Sequence, residues 1–267
     1  MSGRYVVETV EMGVFPVTRT LLMPVHGYNG KIIVFCYGGS LTFSRYKTIP
    51  FLELFVDAGW GAVTFDYYGM GVGWLEKKIK EETGLFTRVR DTKAVVEHTR
   101  KTYNPEELVV MGHGMGCPIA IHAVAERQDV DACILSAPAA YARKVMEQDI
   151  TFQNWEPQFS EGSWRDSEVF GILENISRCH IIRYRGDAIV TKTLGDISAA
   201  YFNHAARSGL QMSTIDGGRH RLFGDFPDTF AIEQKVATML LEWLGKVEWD
   251  CTEEEAMAVQ EICRLTE

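Results

Sequence analysis

The apolar run Val109-Val110-Met111 enters the turn Gly112-His113-Gly114-Met115-Gly116 and leaves it through Cys117-Pro118-Ile119-Ala120. A strand, a five-residue turn flanked by glycines and a helix of small residues form the context of a G-x-S-x-G motif, in which the central serine is presented as a nucleophile. Here the central residue is Gly114. Serine in such a turn is held in a strained backbone conformation that glycine adopts at little cost. The turn can therefore survive where the nucleophile cannot. A dinucleotide fingerprint is the competing reading, but G-x-G-x-x-G fails at Cys117, and the turn lies late in the chain rather than in a first βαβ unit. Cys117 is the nearest thiol. Its place at the start of a helix reads as packing against the sheet, and His113 reads as a packed histidine beside the turn.

The elements around this turn alternate. Tyr5–Val10 and Val17–Pro24 read as a hairpin with its turn near Gly13–Pro16. Lys31–Tyr37, Gly61–Phe65, Glu107–Met111, Asp131–Ser136, Cys179–Tyr184 and Leu210–Ile215 read as strands. Helical spacing marks Phe51–Ala58, Phe86–Tyr103 (Val89, Ala94, Val95 and Val96 toward the core), Gly116–Arg127, Thr229–Leu244 and Glu253–Leu265, with a further helical stretch around Asp196. Apolar strands separated by helices imply an α/β fold, a mostly parallel sheet with helices on both faces. The hairpin adds antiparallel strands at one edge. Residues 141–178 break the rhythm. This polar segment carries Phe152, Trp155, Phe159, Trp164 and Phe170, and reads as a lid over the carboxyl ends of the strands, with aromatics that form its own small core or line an apolar pocket. The 267 residues read as a single domain, 1–267, with that lid as an insertion.

The formal charge of −9 argues against nucleic acid and against anionic membrane surfaces as partners. The six cysteines show no zinc-like spacing, so no metal is expected, and Cys36 and Cys133 fall in apolar runs where reduced thiols pack as small hydrophobes. With no signal-peptide pattern and no apolar run of membrane-spanning length, the expected location is cytoplasmic. The acidic closing segment 249–267 reads either as a helix docked on its own domain or as a homodimer contact.

The order of motifs resembles the α/β-hydrolase superfamily, and the layout with a short lid is similar to small feruloyl- and cinnamoyl-type carboxylesterases. Tyr37-Gly38-Gly39-Ser40 resembles the family's His-Gly-x-Gly-Ser turn, with tyrosine in place of histidine. Phe65-Asp66-Tyr67-Tyr68-Gly69-Met70-Gly71 resembles its F-D-x-R-G-x-G segment, with tyrosine in place of arginine. Arg185-Gly186-Asp187 is similar to the acid turn, and Asp216-Gly217-Gly218-Arg219-His220-Arg221-Leu222-Phe223 to the histidine loop. The resemblance implies that His220 is a general base, that Asp187 holds its tautomer, and that the N–H groups of Gly39 and Met115 stabilise an oxyanion. Asp196 competes with Asp187 but lies too far into the next helical stretch. Ser40 would donate to a ligand or cap the turn.

The resemblance implies an esterase or thioesterase framework for a small acyl substrate, without cofactor, and inactive or strongly impaired as a covalent hydrolase because Gly114 offers no hydroxyl. Gly114 is either a replaced serine or a native glycine beside a His–Asp pair used for other chemistry of the lyase or isomerase kind. A non-catalytic protein that binds a small apolar ligand is the reading from another class.

Overall fold

In the computed structural model the described residues are 5–12, 17–38, 44–68, 84–147, 163–187, 197–217, 220 and 229–245. The hairpin forms as the sequence predicts: β1 (Tyr5–Met12) pairs antiparallel with β2 (Val17–Pro24), from Tyr5 opposite Pro24 to Met12 opposite Val17. β2 then pairs antiparallel with β4 (Gly61–Asp66). The remaining strands are parallel: β3 (Lys31–Cys36), β5 (Glu107–His113), β6 (Ala132–Ser136), β7 (Cys179–Tyr184) and β8 (Gln211–Ile215). Among the described residues this gives one eight-stranded sheet in the order β1-β2-β4-β3-β5-β6-β7-β8.

That order fixes where a site can form. The chain leaves β3 toward β4 but leaves β5 toward β6, in the opposite lateral direction. Right-handed crossovers then put α1 (Ile49–Asp57) on one face, and α2 (Leu85–Tyr103) and α3 (Gly116–Val124) on the other. A crevice opens where the connections diverge, at the carboxyl ends of β3 and β5. Gly38 and Gly114 follow those two strand ends.

The central strands are apolar because both faces are covered: every residue of β4 is buried, as is every residue of β3 after Lys31. Buried stripes on the helices close the faces. They include Phe51, Leu52, Phe55 and Val56 on α1, and Val236, Ala237, Leu240, Leu241 and Leu244 on α7 (Phe230–Leu244). On α2 the core side is Leu85, Arg88, Val89, Asp91, Thr92, Val95, Val96 and Thr99, so Val89, Val95 and Val96 face inward as expected. Ala94 does not; it is half-buried, because this stripe runs one position to its side and takes in Arg88, Asp91 and Thr92.

Other boundaries differ for local reasons. α3 stops at Val124 rather than Arg127, whose N–H closes a turn on the Val124 carbonyl and whose guanidinium takes both oxygens of Asp129. Within 141–178 the described parts hold α4 (Arg143–Met146), a 3-10 turn at Ser163–Asp166 and α5 (Val169–Leu173). Val145, Met146, Val169 and Leu173 are buried, which anchors both ends of the insertion. Phe170 lies 5.0 Å from Tyr201 on α6 (Ile197–Ser208) with the rings tilted by 58°, and Trp164 lies 6.1 Å from Phe170, so these two aromatics belong to a packed cluster. Phe152, Trp155, Phe159, the first turn at 13–16 and the closing helix 253–265 lie outside the described residues. Among the described residues, no helix is long and apolar enough to cross a membrane.

Candidate active site

The turn after β5 has the shape its glycines require. Gly114 has φ +56, and its N–H donates to the Ser136 carbonyl at 2.9 Å while its own carbonyl accepts from Ala139 N–H at 3.2 Å and Cys117 N–H at 3.1 Å. The end of β6 therefore grips the peptide on both sides of Gly114. Close approach explains Gly116: a Cβ there would fall 2.1 Å from the Cys36 carbonyl oxygen. Met115 is the N-cap of α3, so its N–H is among the donors that the helix leaves without an intrahelical acceptor.

The structure brings Asp187 and His220 together. Asp187 follows β7, is 2% exposed, and accepts from Nδ1 of His220 at 2.8 Å. With Nδ1–H committed to a carboxylate, Nε2 is left as an acceptor. A Cβ placed on Gly114 would lie 3.0 Å from that Nε2 and 3.3 Å from Cε1, with no other described atom within 4 Å. Position 114 and the imidazole face each other directly.

Gly39 and Ser40 lie outside the described residues, but both ends of their segment are tied to one carboxylate. On one side Tyr37 Oη donates to Asp66 Oδ1 at 3.4 Å; on the other, Arg45 N–H donates to the same oxygen at 2.8 Å and the Arg45 guanidinium pairs with Oδ2. Burial raises the Asp66 pKa, against the opposing effect of these donors. Tyr37, standing where the resemblance would put histidine, thus serves as an anchor, and Tyr67 Oη adds a bond to its carbonyl at 3.2 Å. Gly38 runs beside the turn after β5: a Cβ on it would be 3.5 Å from Met115 N.

Two residues near the turn were not expected as participants. Arg88 is buried beneath it, with Nη1 3.3 Å from Met115 Sδ and the guanidinium 5.2 Å from the Tyr67 ring; burial lowers its pKa. Nothing in the sequence marks it, since it sits in an otherwise amphipathic stripe. His113 is more than a packed ring: Nδ1 lies 3.0 Å from Ser136 Oγ and Nε2 2.8 Å from the His220 carbonyl oxygen. Cys117 is buried and donates to the Ser136 carbonyl at 3.3 Å, and burial raises its thiol pKa well above the ordinary value, which keeps it from acting as a thiolate. Among the described residues no cluster of His, Cys, Asp and Glu is arranged to hold a metal.

Burial, followed by the facing His220, lowers the His113 pKa to about 3 from an ordinary 6.5. Unfolding lets this ring take up a proton that the folded protein refuses. Its stability contribution is complete above about pH 6.5 and is lost as pH falls toward 3, by up to about 1.4 kcal/mol per pH unit. Urea unfolding at a series of pH values should show a flatter acid limb for His113→Gln than for the unmodified protein. Equal slopes would refute the assignment.

No curated protein matches the sequence. Solved structures do. Est1E from Butyrivibrio proteoclasticus, with ferulic acid bound, is 16% identical with a TM-score of 0.65, over 90% of this chain and all of that one. Esterase 2 from Thermogutta terrifontis, phosphorylated by paraoxon, is 15% identical with a TM-score of 0.64, over 92% and 96%. A Pyrococcus furiosus esterase is 17% identical with a TM-score of 0.61, over 91% and 93%. At such identities these likenesses show the fold. Residues 28–175, more than half of the chain and including β3, the turn at Gly114 and α3, match the family described as Serine aminopeptidase, S33, and the chain belongs to that family of α/β-hydrolases.

Proposed function

We propose that this chain is an acyl-hydrolase framework, of carboxylesterase or thioesterase type, in which Gly114 prevents formation of an acyl-enzyme. The observation that carries the reading is the 3.0 Å between a Cβ on Gly114 and Nε2 of His220, which is oriented by Asp187. A hydroxyl at position 114 would be presented to a base; in this chain there is none to attack.

The chemistry left to these residues is direct attack by water. The water oxygen bonds to the acyl carbon while Nε2 of His220 takes its proton. Negative charge collects on the carbonyl oxygen, toward the Met115 N–H and the N–H assigned to Gly39. The bond to the alcohol or thiol then breaks, and the imidazolium returns its proton to the leaving group. Losing one member of a triad leaves catalysis of this reduced kind. The ferulic acid and paraoxon complexes of the structural neighbours support small acyl or aryl compounds as the class to assay.

The test compares the unmodified protein with Gly114→Ser on short p-nitrophenyl esters and on a fluorophosphonate probe. The reading requires hydrolysis and labelling in the serine form; if both are missing, it is wrong. A second reading, a non-catalytic carrier or sensor of a small apolar ligand, is favoured by the missing side chain at 114. Its signature is thermal stabilisation by an ester that the unmodified protein does not turn over, and turnover of that ester eliminates it.

A further inference from the structure

We propose that His113 is a positioning residue that holds the backbone of His220 through a closed circuit of hydrogen bonds running Tyr184–Ser136–His113–His220–Asp187 and back to Tyr184. The proposal rests on the reading of His220 as the base, but its test does not depend on turnover. The circuit joins the carboxyl ends of three adjacent parallel strands. His113 ends β5 and is in register with Ser136, which ends β6, and Tyr184 ends β7.

The chemistry of the groups fixes the direction of the bonds. The His220 carbonyl oxygen only accepts, so Nε2 of His113, 2.8 Å away, must carry the proton and donate. Burial keeps the ring neutral at ordinary pH, which makes Nδ1 an acceptor. Ser136 Oγ, 3.0 Å from Nδ1, must therefore donate to it. Having spent its only proton, Oγ accepts from Tyr184 Oη at 2.8 Å. The return path leaves from the same tyrosine: Asp187 N–H donates to the Tyr184 carbonyl at 3.1 Å, and Asp187 Oδ2 accepts from His220 Nδ1 at 2.8 Å. Within these bonds every donor is matched to an acceptor.

His220 is thereby held at two places, its ring by Asp187 and its main chain by His113. Two bonds at opposite ends of one residue fix both the position of the imidazole and the direction in which Nε2 points. The four partners of His220 in the circuit are well covered, with His113 7%, Ser136 0%, Tyr184 2% and Asp187 2% exposed, so water has little access to their side of these bonds. No member of the circuit depends on a side chain at position 114. The acid–base pair is set by the strand ends whether that position holds glycine or serine.

Nitrogen-15 NMR of the histidine rings tests this on the unmodified protein. Between about pH 5 and pH 8 His113 is expected as a neutral ring protonated at Nε2. A neutral ring protonated at Nδ1 overturns the proposal without any substitution. The second arm compares His113→Leu, which has no donor, with His113→Gln, whose amide nitrogen can reach the position of Nε2. In the leucine variant the His220 Nδ1 proton should exchange with solvent at least about tenfold faster, and the glutamine variant should restore slow exchange. Unchanged exchange in a folded leucine variant refutes the proposal. If Gly114→Ser hydrolyses esters, adding His113→Leu should lower kcat at least about tenfold with KM little changed; an equal effect on KM alone would refute a positioning role. If Gly114→Ser is inactive, the functional reading fails while the tautomer and exchange measurements still decide the role of His113.

Discussion

Gly114→Ser is expected to raise p-nitrophenyl ester hydrolysis by at least about 10³-fold over the unmodified protein, some 4 kcal/mol of transition-state stabilisation. The new hydroxyl would arrive on a base already oriented by Asp187, beside a main chain already turned for it. Two costs oppose the change. An L side chain at φ +56 is destabilising by roughly 1–2 kcal/mol. The new Cβ would also stand 3.0 Å from His220 Nε2, so the ring must yield by a few tenths of an ångström. Its side chain is 21% exposed and not sealed in the core, which gives it that freedom. The melting temperature of the serine form should therefore fall by about 2–8 °C even as activity rises. Fluorophosphonate labelling should appear with the activity, and adding His220→Ala should remove the gain. Activity that survives His220→Ala would mean that another group is the base.

Gly116→Ala is expected to be the more damaging change to the fold, costing about 3 kcal/mol or more. Its Cβ would fall 2.1 Å from the Cys36 carbonyl oxygen, 2.8 Å from the Cys36 carbonyl carbon and 2.9 Å from the Tyr37 carbonyl oxygen. These are backbone atoms at the end of β3, a strand paired on both sides with β4 and β5, and they have nowhere to retreat. Gly171→Ala in α5 is the matched control, because its Cβ meets no described atom within 4 Å and alanine is the better helix former. Chemical denaturation should find the first variant strongly destabilised or insoluble and the second as stable as the parent or more so. Near-equal stabilities would show that β3 and α3 separate more easily than their packing implies.

The sheet and its helices were legible because periodicity and punctuation agree at nearly every step. Ile32–Cys36 and Gly61–Val63 are unbroken apolar runs, as strands covered on both faces tend to be, and the glycines at 112, 114 and 116 mark a turn that only a tight strand-to-helix junction requires. Asp187 and His220 are singled out by the resemblance alone, and the 2.8 Å between His220 Nδ1 and Asp187 Oδ2 is a contact across 33 residues that no local pattern encodes. Other features were not legible, for reasons of distance and environment. The bonds of His113 cross 23 residues to Ser136 and 107 to His220, and that from Ser136 to Tyr184 crosses 48. No local pattern encodes contacts that exist only because β5, β6 and β7 end side by side. The inward polar side of α2, with Arg88, Asp91 and Thr92, runs against hydrophobic periodicity because these side chains find partners inside: Asp91 accepts from Tyr68 N–H at 2.8 Å, and Thr92 donates to the Arg88 carbonyl at 2.8 Å. The short helices of 141–178 span only Arg143–Met146 and Val169–Leu173, too short to show a helical period.

The grip of β6 on the peptide at 114 bears on how such a chain changes over generations. Its hydrogen bonds to Ser136 and Ala139 use only main-chain atoms, so they are indifferent to the residue that occupies the turn. Glycine and serine codons can be neighbours in the genetic code, and an exchange between them would keep these main-chain bonds in either direction. On the proposed function, chemical competence at this position would be separable from folding competence. A lineage could lose or regain covalent catalysis in a single substitution, without first dismantling or rebuilding the architecture that would serve it.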